Sequence, residues 1–193
     1  MTLKALRKLI QDDLFRYVGK RGGFFTFLRV FAFVPGFSCT FWYRACQWVD
    51  KSMVRRFFFY PIVLFRKRSE RVWHTVIAGD IAGGLCVGHA EAGGIVINGL
   101  CKIGKNCNIH HGVTIGAKHR ALGTGKTGAP EIGENVYIGP GAKVIGGIKI
   151  GNNVAIGANA VVVHDVPDDA VVGGVPAKII SYGGSEGLVC RRV

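Results

Sequence analysis

Along the second half of the chain, aliphatic residues recur every six positions. Ile97, Ile103, Ile109 and Ile115 form one phased block, and Ile132, Ile138, Val144, Ile150, Ile156 and Val162 form another. Ile81 and Val87 carry the same step upstream. A helix repeats every 3.6 residues and a half-buried strand every two. A period of six with small residues between predicts a parallel β-helix of hexapeptide coils, in which every sixth side chain enters a narrow prism core. Gly follows the aliphatic position at 104, 116, 133, 139, 151 and 157. That predicts tight corners in the positive-φ region, which glycine enters freely. Stacked coils then share one continuous core.

The step breaks twice. From Ile115 to Ile132 it is 17, eleven more than one coil step, and the excess falls in "AKHRALGTGKTGAPE" (117–131), a polar, Gly-rich loop. From Val87 to Ile97 there are four extra residues around "GHAEAGG". Loops on a rigid scaffold tend to carry function, so the active site is expected between these departures. "NIHHGVTIG" (108–116) lies there. With Ile109 pointing inward, His110 and His111 sit just past it at a coil corner. Three roles stay open for them: surface or interface residues, acceptor contacts across an oligomer, or metal ligands. A single His pair without a phased third His, Cys or Asp argues against a metal.

Residues 1–73 have different physics. "LKALRKLIQDDLFRYV" places Leu3, Leu6, Ile10 and Leu14 at helical intervals. "KRGG" (20–23), Pro35–Gly36 and Pro61 then punctuate two further apolar blocks. All twelve Phe and all three Trp lie at or before Trp73. This region holds 15 of the 25 Lys and Arg against four acids, a balance of +11, whereas 74–193 holds ten against eight, a balance of +2. Only four of 29 Gly precede residue 74. The expectation is an α-helical, basic-aromatic region followed by a β-helix. Aromatic surface interleaved with cations fits a helix lying in a membrane interface, or a face packed on oligomer partners. Nucleic acid ranks last, because the Phe-rich blocks are too apolar for a phosphate-tracking groove.

No run of 18 uncharged apolar residues occurs, which predicts no plain transmembrane helix. The first ten residues do not read as a signal peptide. The expected location is cytoplasmic, peripheral at the inner face of the membrane. The six Cys (39, 46, 86, 101, 107 and 190) form no CxxC pair and are expected as buried, reduced thiols.

From about 74 to 180 the chain resembles the hexapeptide-repeat acyltransferases of left-handed β-helix fold. Within them it is similar to the serine acetyltransferase-like branch, which includes sugar and polysaccharide O-acetyltransferases. The residues that carry the resemblance are "GLCVGHAEAGGIVIN", "IGKNCNIHHGVTIG", "GTGKTG", "IGPGAKVIGGIKIGNNVAIGANAVV" and the closing "VPDDAVVGGVPAKII". Residues 181–193 then form a C-terminal tail. The resemblance implies left-handed crossovers, against the usual right-handed rule. It implies a homotrimer with sites at subunit interfaces; whether trimers pair into hexamers stays open. It also implies acetyl-CoA as co-substrate in the groove between prisms, with no metal. For acetyl-CoA it points to Gly125 and Lys126 in the loop, to Gly141, Ala142 and Ala158 on the groove wall, and to Lys178 near the end.

The family's catalytic base maps to His89, a neutral imidazole suited to take the proton of an attacking hydroxyl. Serine acetyltransferases orient it with an acid fifteen residues upstream, where this chain has His74. The orienting residue is then His74, Glu91 or Asp80, unless His89 works alone. His110 and His111 are taken as substrate contacts. Family members that act on serine also carry Asp directly before the base and an Arg-His pair before the loop-closing Pro. Here Gly88 precedes His89 and Gly128–Ala129 precedes Pro130. The expected acceptor is therefore a sugar hydroxyl, small or lipid-linked, in surface-glycan synthesis. The other readings are a serine acetyltransferase of cysteine biosynthesis, acetyl transfer to an amino sugar, and a non-catalytic membrane-associated scaffold.

Overall fold

Helices fill the chain up to Trp73. The first, α1 (Leu3–Val18), starts where the Thr2 hydroxyl accepts the Ala5 N–H and stops at Gly19, whose φ of 76° only glycine adopts without strain. Then come α2 (Phe24–Phe33), α3 (Pro35–Asp50), α4 (Met53–Phe58) and α5 (Tyr60–Trp73). Pro35 stands in the first turn of α3, where its missing N–H costs nothing, and α2 and α3 are bent by 109°. No single helix among the described residues is long and apolar enough to cross a membrane. This computed structural model describes residues 1–20, 22–118, 127–189 and 191–193.

From Asp80 the chain winds into a left-handed β-helix. One face stacks β1 (Asp80–Ile81), β4 (Lys102–Ile103), β7 (Glu131–Ile132) and β10 (Lys149–Ile150). The second stacks β2 (Cys86–Gly88), β5 (Asn108–His110), β8 (Tyr137–Ile138), β11 (Ala155–Ile156) and β13 (Val171–Gly174) in parallel, and β14 (Ala177–Ser181) closes it antiparallel. The third stacks β3 (Val96–Ile97), β6 (Thr114–Gly116), β9 (Lys143–Ile145) and β12 (Val161–Val162). Register puts each aliphatic position on its equivalent one coil away, as in Val87, Ile109, Ile138 and Ile156. All twelve residues of the period-six series are 5% exposed or less. Each such Ile contributes about 2 kcal/mol through burial.

The repeat also has a second inward row, two residues earlier. Leu85, Ile95, Cys101, Cys107, Val113, Val136, Ile148 and Val154 are 0–1% exposed. Ala142 belongs to this row and is fully buried. That corrects its expected place on a groove wall: it is small because the prism interior is narrow there. Burial pushes the Cys107 thiol up to about 12 and the Cys101 thiol up to about 11, so both stay protonated. Cys190 lies outside the described residues.

The glycines after the aliphatic positions have a different cause from the one expected. None of the six has a positive φ. A Cβ on Gly104 would sit 2.5 Å from Gly133 O, and one on Gly133 would sit 2.7 Å from Gly151 O. They are small because successive coils approach that closely. One column of left-handed corners is held by Asn106, Asn135, Asn153 and Asp169, with φ between 54° and 59°, a conformation these residues tolerate best among non-glycines. Their side chains form a ladder, Asn106 to Asn135 (3.1 Å), Asn135 to Asn153 (3.0 Å) and Asn153 to Asp169 (3.0 Å).

One buried ion pair joins the helices to the first coils. Arg44 Nε donates to Asp13 Oδ2 at 2.9 Å, with both side chains 1% exposed or less. Arg44 also donates to the carbonyls of Ile81 and Ala82, and Asp13 Oδ1 accepts the Leu85 N–H. The tail returns to the same end of the prism. Arg191 donates to Tyr17 O, and Val193 N–H donates to Asn106.

Candidate active site

The interrupted coil after Val87 builds the site. β2 ends at Gly88, and His89 then leaves the strand in the left-handed region (φ 55°, ψ 44°) to cap a 3₁₀ turn, Ala90–Ala92. A non-glycine at that φ is uncommon. The turn folds back, and His89 Nδ1 lies 3.2 Å from Glu91 Oε1. Both side chains are open to solvent, 66% and 54% exposed. The Glu91 carboxyl is held below its ordinary value, first by its own backbone N–H and then by His89. A carboxylate only accepts, so Nδ1 donates and Nε2 keeps its lone pair. This is the tautomer a general base needs, with the lone pair aimed away from the orienting acid.

His74 has another task. It terminates α5 in the left-handed region (φ 46°), and its carbonyl accepts the Gly94 N–H. The described side-chain hydrogen bond of His89 goes to Glu91, and none is described between His89 and His74. Asp80 is in β1, on a different face of the prism.

Two more imidazoles stand beside His89. His110 ends β5 directly opposite Gly88, and its ring centre is 6.2 Å from that of His89 and 5.0 Å from that of Tyr137. Burial, and then the neighbouring His89 and His111, pull the His110 pKa below 6.5, so it is neutral at pH 7. His111 meets His89 edge to face at 5.9 Å, and its buried Nδ1 has no hydrogen-bond partner among the described residues. An orphaned buried nitrogen is a rare feature that asks for a partner. Among the described residues no group of three or more His, Cys, Asp or Glu side chains is placed to hold a metal ion.

Gly88 has no room for a side chain. A Cβ there would lie 2.8 Å from both Cε1 and Nδ1 of His110. The space that an acid before the base would occupy is filled from the next coil. Sequence reasoning missed this exchange, and it also missed Tyr137, which backs His110; only the parallel register of β2, β5 and β8 reveals either.

The residues expected at acetyl-CoA separate. Gly125 and Lys126 lie outside the described residues. Gly141 sits at a left-handed corner (φ 73°), where a Cβ would collide with Asn159 Oδ1; with Gly94 and Gly112 it forms a column of bare backbone beside His111. Ala158 is exposed, and Lys178 is exposed on β14. Bare backbone, a small exposed residue and a cation suit a pantetheine arm and its phosphates; buried Ala142 does not.

Comparison with known proteins gives a consistent picture. The family described as bacterial transferase hexapeptide (six repeats) matches residues 129–164. A serine acetyltransferase of Mycobacterium tuberculosis is 37% identical over 163 residues, 80% of this chain and 65% of that protein. The crystal structure of serine acetyltransferase from Brucella abortus strain S19 aligns with a TM-score of 0.73 at 30% identity, over 92% of this chain and 69% of that one. The same enzyme in complex with coenzyme A aligns at 0.74 and 28% identity, over 93% of this chain and 69% of that one. The chain spans less than two thirds of the length of the curated relatives it matches, 65% and 62% for two of them. These likenesses overturn the expected sugar acceptor, since proteins alike over four fifths of the chain are serine acetyltransferases. On its hexapeptide coils, its alignment with the Brucella structure and the repeat interruption that carries His89, the chain belongs to the hexapeptide-repeat acyltransferases of the serine acetyltransferase type.

Proposed function

We propose that this protein transfers an acetyl group from acetyl-CoA to the hydroxyl of serine, with His89 as general base. The observation that carries the proposal is the His89–Glu91 pair on the interrupted coil. Glu91 fixes the tautomer, so Nε2 can take the hydroxyl proton as the oxygen attacks. Acetyl-CoA supplies the activated acyl group. Gly141, Ala158 and Lys178, with Gly125 and Lys126 of the long loop, are the residues that would hold it. The relatives' names and the neighbour with coenzyme A bound support donor and acceptor.

Neutral His110 and the free Nδ1 of His111 offer polar contacts to the acceptor, or to a second copy of the chain. Trimeric assembly follows the family and would place a neighbouring prism against this face. The contacts that hold serine differ from those the resemblance implies, because Gly88 and Gly128–Ala129 carry no ionisable side chain.

The test is free-thiol release from acetyl-CoA with and without L-serine, alongside His89→Ala. Serine-dependent turnover that falls roughly 10²- to 10⁴-fold in the variant is expected of a lost general base. Undiminished turnover in His89→Ala would remove the base assignment. Turnover indifferent to serine would remove the acceptor.

A further inference from the structure

The helical region leaves many large apolar side chains exposed. On α2, Phe24, Phe25 and Phe33 are 69%, 84% and 80% exposed. On α4, Met53, Phe57 and Phe58 are 90%, 81% and 70% exposed. Leu64 and Phe65 continue the exposure onto α5. Scattered apolar residues on a surface mean little, but a contiguous patch marks a binding face. Here the rings connect the elements. Phe27 stacks on Phe31, Phe31 meets Trp42 edge-on at 5.8 Å, and Trp42 stacks on Phe65 at 5.3 Å. Trp48 meets Phe59 at 5.3 Å. One aromatic seam thus runs from α2 across α3 to the start of α5.

Cations border the seam. Arg29, Arg56, Lys67, Arg68 and Arg71 are exposed, and Arg55 lies over the Trp48 ring at 4.8 Å. Acids do not balance them. Of the four in residues 1–73, Asp13 is committed to the buried pair with Arg44 and Glu70 pairs with Arg66. A second copy seated on this face by two-fold symmetry would set cations against cations. An anionic lipid surface supplies the missing charge and takes up the rings.

We infer that α2, α4 and the start of α5 form a membrane-surface binding face, with the phenylalanines in the acyl boundary and the arginines and lysines on anionic headgroups. The helices lie on the bilayer and do not cross it. At 1.5 Å per residue, the ten residues of α2 reach about 15 Å, half of the roughly 30 Å hydrocarbon core. The α2–α3 pair has the composition to span but is bent by 109°. This inference stands apart from the acetyl-transfer proposal.

The test is flotation of the full-length protein with vesicles of phosphatidylcholine alone and of phosphatidylcholine mixed with phosphatidylglycerol, at low and high salt. Expected is binding at least roughly tenfold tighter on the anionic vesicles, weakened by salt, with a blue shift in tryptophan emission. Phe25→Glu with Phe57→Glu should lose flotation while keeping the wild-type circular dichroism and melting curve. Arg56→Gln with Arg68→Gln should weaken binding and flatten its salt dependence. Wild-type protein that stays with the soluble fraction on both vesicles overturns the inference. So does a Phe25→Glu/Phe57→Glu variant that floats unchanged but loses oligomer mass, which would assign the face to protein contacts. Retention of a duplex DNA probe without flotation overturns it in favour of phosphate tracking.

Discussion

Nδ1 of His89 and Oε1 of Glu91 lie 3.2 Å apart, because the left-handed conformation of His89 turns the chain back on itself within two residues. Glu91 is ionised through the working pH range, since its carboxyl is held low by its own N–H and by His89. Glu91→Gln keeps a hydrogen-bonding side chain but frees the tautomer and removes the charge. We expect kcat to fall roughly 10- to 100-fold, the scale seen when a partner that orients a histidine is lost. KM for acetyl-CoA should stay unchanged. A kcat equal to wild type would show that Glu91 only decorates the turn.

His110 makes stability depend on pH. Its folded-state pKa is below the ordinary 6.5, through burial first and then through His89 and His111. The unfolded chain therefore binds the proton more readily than the folded one. Above about pH 6.5 both forms are neutral and the full stability is present; as pH falls from there toward the folded value, stability is lost. Besides the two histidines, the Tyr137 ring faces His110. Melting temperature measured from pH 8 to pH 5 should fall on the acid side, and His110→Gln should flatten that fall. Parallel slopes in the two proteins would place the proton elsewhere.

The period-six series was legible because an interior position in a stacked coil tolerates little besides Ile and Val. The second inward row was not, because Cys101, Cys107, Val113 and Ala142 share only smallness and burial. The glycines after the aliphatic positions look like turn residues, yet coil-to-coil contact explains them, and the left-handed corners lie elsewhere, at Asn106, Asn135, Asn153 and Asp169 in one column and Gly94, Gly112 and Gly141 in another. The sequence left His74, Glu91 and Asp80 open as partners of His89. In the fold the backbone reversal at His89 brings Glu91 within hydrogen-bond distance, and no pattern in the sequence announces a positive φ at a histidine. Nor does the sequence show that the space beside Gly88 is taken by the His110 ring; only the strand register does.

The Asp13–Arg44 pair ties α1 and α3 to the first coils, and burial drives the Asp13 carboxyl up against the pull of the guanidinium. Removing one partner leaves the other charge buried and also orphans the Leu85 N–H or the Ile81 and Ala82 carbonyls. Arg44→Met should therefore cost about 3–5 kcal/mol in chemical unfolding. Asp13→Asn, which keeps an acceptor for Leu85, should cost less. Because neither Asp13 nor Arg44 hydrogen-bonds His89 or Glu91 among the described contacts, an Asp13→Asn protein that still folds should retain its kcat. A loss below about 1 kcal/mol in Arg44→Met would mean that water or backbone shifts replace the pair.

Gly88 and His110 face each other across β2 and β5, and the His110 ring fills the space a side chain at 88 would need. Gly88→Asp restores the acid that the resemblance associates with serine. Its Cβ would lie 2.8 Å from the His110 ring, so the imidazole must leave its place against Tyr137. Alone, the substitution should lower both the melting temperature and kcat/KM. Combined with His110→Ala, which vacates the site, it should recover most of the stability, and the added carboxylate should lower KM for serine by meeting the substrate's ammonium group. A double-mutant cycle on melting and on KM is then non-additive by about 1–3 kcal/mol, as expected for residues in direct contact. Additive effects would mean that the ring swings aside at no cost, and that the two positions contribute to acceptor binding independently.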